Sequence, residues 1–298
     1  MASTSVIAGS IEVDQVDAVS SPVSTDMTSY WHLALWGILA LIAFGVWHRL
    51  RLFVLPANRI PDGDVNTMGG ALGCFVLAFV MLLLATLGRG FAAGAFDQTA
   101  DLTLRTMWFL MLGGTLAQLP IAIYFFIKCS TSKEMVGPSV GKSFGLGVLG
   151  LILVLPVVFF ALNVGYTLQM WMTGIEGDGI AHSGLELIVG DQDRAYLVPV
   201  LFLVIVAIPI LEEILYRGLV QRGFRGLGFP PWFAIFAASL PFTMMHIGVV
   251  EPAALLGLFV LSLGFGWVYE RGGSIMAPIV LHAGFNGVNA GYALLIPA

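Results

Sequence analysis

The chain has 298 residues, 58% hydrophobic and only 10% charged, with a mean hydropathy of +0.93 and a formal net charge of -5. Soluble domains carry about 25% charged residues, so this balance places the protein in the membrane class. With an isoelectric point near 5.4 and no basic stripe or arm, nothing equips it to bind phosphates, which excludes nucleic acid as a partner.

Residues 1–29 are rich in Ser, Thr, Val and Asp and contain no Lys or Arg. A secretory signal needs a positive start and an apolar core, so this stretch reads as an uncleaved, disordered acidic tail. Apolar runs of about 17 to 25 residues then mark spans. They fall at Trp31–Trp47, Gly70–Leu87, Leu104–Ile127, Phe144–Leu168, Tyr196–Tyr216, Trp232–His246, Ala253–Tyr269 and Ser274–Ile296. No alternating strand pattern is sustained. The expectation is an all-α, polytopic transmembrane bundle of about eight spans, one membrane-embedded domain over residues 30–298. The longest connection, Gln169 to Arg194, suits an external loop, with Trp171 and Met172 as interfacial anchors. Cys74 and Cys129 have no paired spacing and read as packing residues. Gly145, Gly147, Gly150, Gly264 and Gly266 let helices approach closely.

Cations fall unevenly between alternate connections. Arg49, Arg51, Arg59, Lys128, Lys133, Lys142, Arg217, Arg222, Arg225 and Arg271 lie on one side, against Arg89, Arg105 and Arg194 on the other. The positive-inside rule then puts both termini outside and the end of the fifth span in the cytoplasm. A bacterial inner membrane suits the short loops and the lack of sorting signals.

The fifth run ends in Leu211-Glu212-Glu213-Ile214-Leu215-Tyr216-Arg217-Gly218. A charge at membrane depth costs roughly 2.5 to 3.5 kcal/mol on insertion scales, so two carboxylates and an arginine there signal function or a buried partner. On a helix Glu213 and Arg217 are i and i+4 and can pair, while Glu212 points about 100° away. Further on, His246 closes the run Phe242-Thr243-Met244-Met245-His246, and His282 and Asn286 share one face of the last span. A carboxylate in a dry cavity is a stronger base than in water, an imidazole can share the water it activates, and an imidazole with a carboxamide can donate to an oxyanion. Together these describe amide hydrolysis without a covalent intermediate. Ser239 and Ser262 lack a G-x-S-x-G setting and do not read as nucleophiles. His32, His48, His182 and Glu251 read as interfacial, solvent or loop residues.

Glu212-Glu213-x-x-x-Arg217, Phe242-x-x-x-His246 and His282-x-x-x-Asn286 resemble the three motifs of the CAAX protease and bacteriocin-processing family of intramembrane proteases, which includes the eukaryotic prenyl-protein endopeptidase. The resemblance covers about Pro199 to Asn289. It implies that Glu212 and His246 activate water, that Glu213 and Arg217 support the site, and that His282 and Asn286 line the oxyanion pocket. It leaves a divalent metal open: zinc, if used, would sit on Glu212, His246 and His282, though no H-E-x-x-H helix is present. The implied partners are the bilayer and a peptide or protein substrate: a lipidated tail, a leader peptide or a membrane protein. Two rivals stand beside this reading. A non-catalytic immunity or scaffold protein of the same fold has no need of unpaired polar groups in lipid. A proton-coupled transporter relaying through Glu212 and His246 should carry an inverted pair of broken helices, and none is seen.

A straight sixth span from Trp232 carries His246 about 21 Å along its axis, away from Glu212. A kink at Pro241, or a helix that starts outside the bilayer, is needed for the two to meet. For the orientation, a reporter that works only outside the cytoplasm, fused after Ala298, is expected to be active, and a cytoplasm-only reporter silent; the reverse pattern overturns it.

Overall fold

The computed structural model describes residues 27–55, 68–96, 102–130, 139–174, 183–190 and 194–295. Helices joined by short turns make up these residues, with no strand among them beyond an isolated bridge between Ile247 and Val250. In chain order the helices are α1 (Met27–Arg49), α2 (Met68–Ala93), α3 (Leu104–Ser130), α4 (Val140–Thr173), α5 (Ser183–Gly190), α6 (Arg194–Gly226), α7 (Pro231–Met244), α8 (Leu255–Gly272) and α9 (Met276–Leu295). The polytopic helical bundle is as expected. The acidic tail lies, except for its last three residues, outside the described residues.

Six of these helices, α1 to α4, α6 and α8 with its lead-in turn, are long and apolar enough to cross a membrane. The two other runs read as spans are different. α7 has 14 residues, about 21 Å of helix against a hydrocarbon core of about 30 Å. α9 has 20 residues but carries His282, Asn286 and Asn289, and falls outside the six. The run from Gln169 to Arg194 is also not a simple loop. α4 continues to Thr173, and α5 follows with Ile188 buried against Leu104, Met107 and Val200. Arg194 donates to the carbonyls of Ile188 and Val189 at 3.0 and 3.2 Å, closing the C-terminal end of α5 with a cation where the helix dipole favours one. Trp171 and Met172 are exposed, as interfacial anchors would be, and Cys74 is buried.

α4 is the central post, packed against α1, α8 and α9. Its glycines explain the closeness. Gly150 seats Val268 and Leu281, Gly147 seats Val280 and the Ala277 carbonyl, and across the interface Gly264 seats Val154. Gly145 meets nothing within 4 Å and takes no part. The turn into α9 is set by Gly273, at φ +60°, whose N–H bonds back to Tyr269 at 2.8 Å. That left-handed cap favours glycine. The connection after α1 is held against α7 and α8 by three donors, Trp267 to Leu52, Trp232 to Phe53 and Arg271 to Val54. These contacts fix α7, α8 and α9, and α6 packs against all three.

The packing makes a contrast at two neighbouring glycines. G147A would place a methyl 2.6 Å from the Ala277 carbonyl oxygen and is expected to cost about 1 to 3 kcal/mol. G145A should leave thermal unfolding in detergent unchanged; equal midpoints for the two variants would contradict this packing.

Candidate active site

α6 is not a uniform α-helix. Its backbone widens to π-helix over Leu203–Ala207 and again over Ile214–Gln221, flanking the Ile208–Glu213 turn that carries both glutamates. Such widened turns release carbonyls and concentrate at functional sites. Asn286 of α9 donates to one of them, the Val204 carbonyl, at 2.8 Å. The amide thus holds α9 against the first wide turn and retains a second N–H.

The two adjacent glutamates have opposite surroundings. Glu213 is fully buried. Arg217 approaches it with Nε 3.2 Å from Oε2 and Nη1 3.3 Å from Oε1. The first contact is ionic rather than an aligned hydrogen bond, since neither atom makes one. Arg217 is itself fully buried, so the pair neutralises two charges that neither lipid nor packed side chains would accept. Its burial also means that Arg217 is no loop cation and has no place in the positive-inside tally. Glu212, one residue away, keeps its side chain 26% exposed.

His282 stands between the two carboxylates. Its Nδ1 is 2.7 Å from Glu213 Oε1 and its Nε2 is 3.7 Å from Glu212 Oε2. The carboxylate accepts, so Nδ1 carries the hydrogen, and in the neutral tautomer this leaves the Nε2 lone pair facing Glu212. At 3.7 Å these two acceptors are too far apart for a direct hydrogen bond, yet both can be reached by one water. Phe265 of α8 lies flat on the imidazole, centroids 4.4 Å apart and planes at 22°, and fixes the ring's plane.

His246 lies beyond the end of α7, in a tight turn whose Val249 and Val250 N–H groups bond its carbonyl. The helix stops two residues short of it, and Pro241 lies within its last turn. Its Nδ1 donates to the Phe242 carbonyl at 2.8 Å and leaves Nε2 as an acceptor. Phe242, fully buried, is the hub of the motifs. Its ring centroid lies 4.8 Å from that of His246, 6.0 Å from that of His282 and 5.1 Å from that of Tyr216, with the Arg217 guanidinium 5.1 Å above it. All three motifs therefore share one aromatic-walled interior. Among the described residues no group of three or more His, Cys, Asp and Glu side chains is arranged to hold a metal ion. Glu212, His246 and His282 do not fit as a ligand set.

A second polar cluster escaped the sequence reading. Gln221 and Glu270 are both fully buried; Gln221 Nε2 donates to Glu270 Oε1 at 3.0 Å, and Arg225 Nε lies 3.4 Å from the same oxygen. With the bonds from Arg217 to Ser262 and from Gln221 to the Gly266 carbonyl, the Arg225–Glu270 contact makes a ladder between α6 and α8 at a constant offset of 45 residues, and the Gln221–Glu270 bond, at 49, crosses between two rungs. A constant offset means the two helices run parallel. Glu213, Arg217, Gln221 and Arg225 recur every four residues, a signal visible in the sequence. On a 3.6-residue helix that spacing drifts about 40° per step, and the wider π turn takes up the drift.

Residues 194–288, which run from the start of α6 into α9, match the family model described as Type II CAAX prenyl endopeptidase Rce1-like. This segment is similar to that family. The match bears out the resemblance drawn from the three motifs, all of which fall inside it. No curated protein and no solved structure matches the chain. The matched segment is thus the part of the bundle that contains the buried ion pair, both histidines and the polar ladder.

Removing one member of the pair tests its burial. R217M leaves Glu213 without its cation and is expected to cost about 3 to 5 kcal/mol of stability. E213Q/R217M should recover a substantial part. Denaturation of purified protein reads both, and a double variant no more stable than R217M would contradict a compensated pair.

Proposed function

We propose that the protein is an intramembrane endopeptidase in which Glu212 activates a water held in the gap between its Oε2 and Nε2 of His282. The observation that carries this reading is that 3.7 Å gap, with Glu213 bonded to the far side of the imidazole. Water in the gap donates one hydrogen to each acceptor and turns a lone pair outward. As that oxygen bonds to a peptide carbonyl carbon, Glu212 takes its proton. The carbonyl electron pair moves onto oxygen, and collapse breaks the C–N bond as Glu212 returns the proton to the amine.

Hydrogen-bond donors divide the remaining roles. In their neutral forms His246 and His282 both present acceptor nitrogens, because each Nδ1–H is already spent on Phe242 O or Glu213. This suits them to orienting water. Asn286 keeps an amide hydrogen beyond the one given to Val204, which suits it to the developing oxyanion. The reading thus moves His282 from the oxyanion side, where the motif resemblance put it, to the water side.

The substrate class is a peptide or protein that reaches the site from the bilayer or the cytoplasmic face. The family is named for CAAX prenyl endopeptidase activity; for this chain a lipidated tail stands beside leader peptides and membrane proteins. E212Q keeps the shape and removes the base. Hydrolysis of a panel of lipidated and unlipidated peptides by purified enzyme in lipid should fall at least about 100-fold with thermal unfolding unchanged. Proteolysis that survives the substitution would overturn the role.

A further inference from the structure

Ser262 lies outside the three motifs, in the apolar run of α8, and is completely buried. Its hydroxyl oxygen and its carbonyl both accept from Nη2 of Arg217, at 2.7 and 2.9 Å. We infer that Ser262 is a positioning residue for catalysis, acting through Arg217 and Glu213 to set how strongly Glu213 holds His282. The inference rests on the endopeptidase reading for its kinetic consequence, but not for its structural one.

Glu213 Oε1 accepts from both Arg217 Nη1, at 3.3 Å, and His282 Nδ1, at 2.7 Å. One oxygen is shared between a cation and the imidazole, so whatever holds the guanidinium determines what is left for the histidine. The short contact is the one to His282. Ser262 offers Arg217 two acceptors on the α8 side, and the guanidinium, packed 4.9 Å from the Phe265 ring and 5.1 Å from that of Phe242, has no other side chain of α8 as an acceptor among the described residues. A charged donor bonded to a neutral hydroxyl keeps most of its charge for the carboxylate but loses its freedom to move. Without the hydroxyl, Arg217 leans onto Glu213 and weakens the bond to His282. The Nε2 lone pair that faces Glu212 is then no longer held in line.

Buried serine alone does not confer this role. Ser239 of α7 is equally buried, and its hydroxyl has no hydrogen-bond partner among the described residues. It provides the control.

The test measures peptide hydrolysis and the His282 Nδ1–H resonance in 15N-histidine-labelled protein, assigned by its loss in H282Q. S262A is expected to lower kcat about 10-fold, the effect of one lost bond to a charged group, with KM within about twofold. The resonance should move upfield as its bond to Glu213 weakens. S262T, which keeps the hydroxyl, should restore both kcat and the resonance, and S239A should change neither. Unchanged kcat and an unmoved resonance in S262A overturn the inference, as does a folded S262T that restores neither, since that is packing rather than hydrogen bonding. If S262A does not fold, S262C serves in its place, its thiol being a weak acceptor of similar size. If the wild type hydrolyses no peptide, the endopeptidase reading fails by itself, and the resonance still decides whether Ser262 acts on His282.

Discussion

The bonding of one buried carboxylate, Glu213, to two partners determines how the rest of the interior is arranged. It sits at zero exposure between Arg217 of its own helix and His282 of α9. Charges taken out of water need compensation from well-placed partners. Here the partners come from different helices, so satisfying the charge fixes α6, α8 and α9 relative to one another. Arg217 reaches Ser262 on α8, His282 is held on α9, and Phe242 of α7 fills the space between them. The same requirement explains how adjacent glutamates diverge. One is consumed in holding the site together, and the neighbour, turned about 100° around the helix, keeps a partly exposed carboxylate facing the other nitrogen of the same imidazole.

Lipid cannot supply the driving force that assembles a soluble core, so close packing and interior hydrogen bonds hold such helices together. Both are concentrated on α8. Its glycines admit Val154 of α4 and Ile235 of α7, and its Ser262, Gly266 and Glu270 receive the donors of α6. A rigid wall built this way presents Phe265 flat against His282. Geometry held by stacking on the ring and by the bond from Nδ1 to Glu213 is the kind of preorganisation that hydrolysis in a dry site requires.

Much of this was legible in the chain. The cost of charge in apolar runs singled out Glu212, Glu213 and Arg217, and the four-residue spacing gave the ion pair. Hydropathy located every helix that crosses or nearly crosses, because long apolar runs have few other uses. It could not show that α7 is short, since its apolar run continues into the turn that carries His246. Glu270 follows directly on the apolar run Ala253–Tyr269, with Arg271 and two glycines after it, and nothing local marks its carboxylate as buried. The π turns in α6 leave no mark on hydropathy, and so the tie from Asn286 to Val204 was out of reach. The placing of His282 between two carboxylates depends on the crossing of α6 and α9, which no local pattern encodes.

The central claim is that a single water bridges Glu212 Oε2 and His282 Nε2. An experimental density map of the protein in lipid, at a resolution that shows ordered water, tests it most directly. The account predicts one peak within hydrogen-bond distance of both atoms, with Glu213 bonded to Nδ1. A direct Glu212–His282 contact that closes the gap, or an imidazole turned away from Glu213, would contradict it.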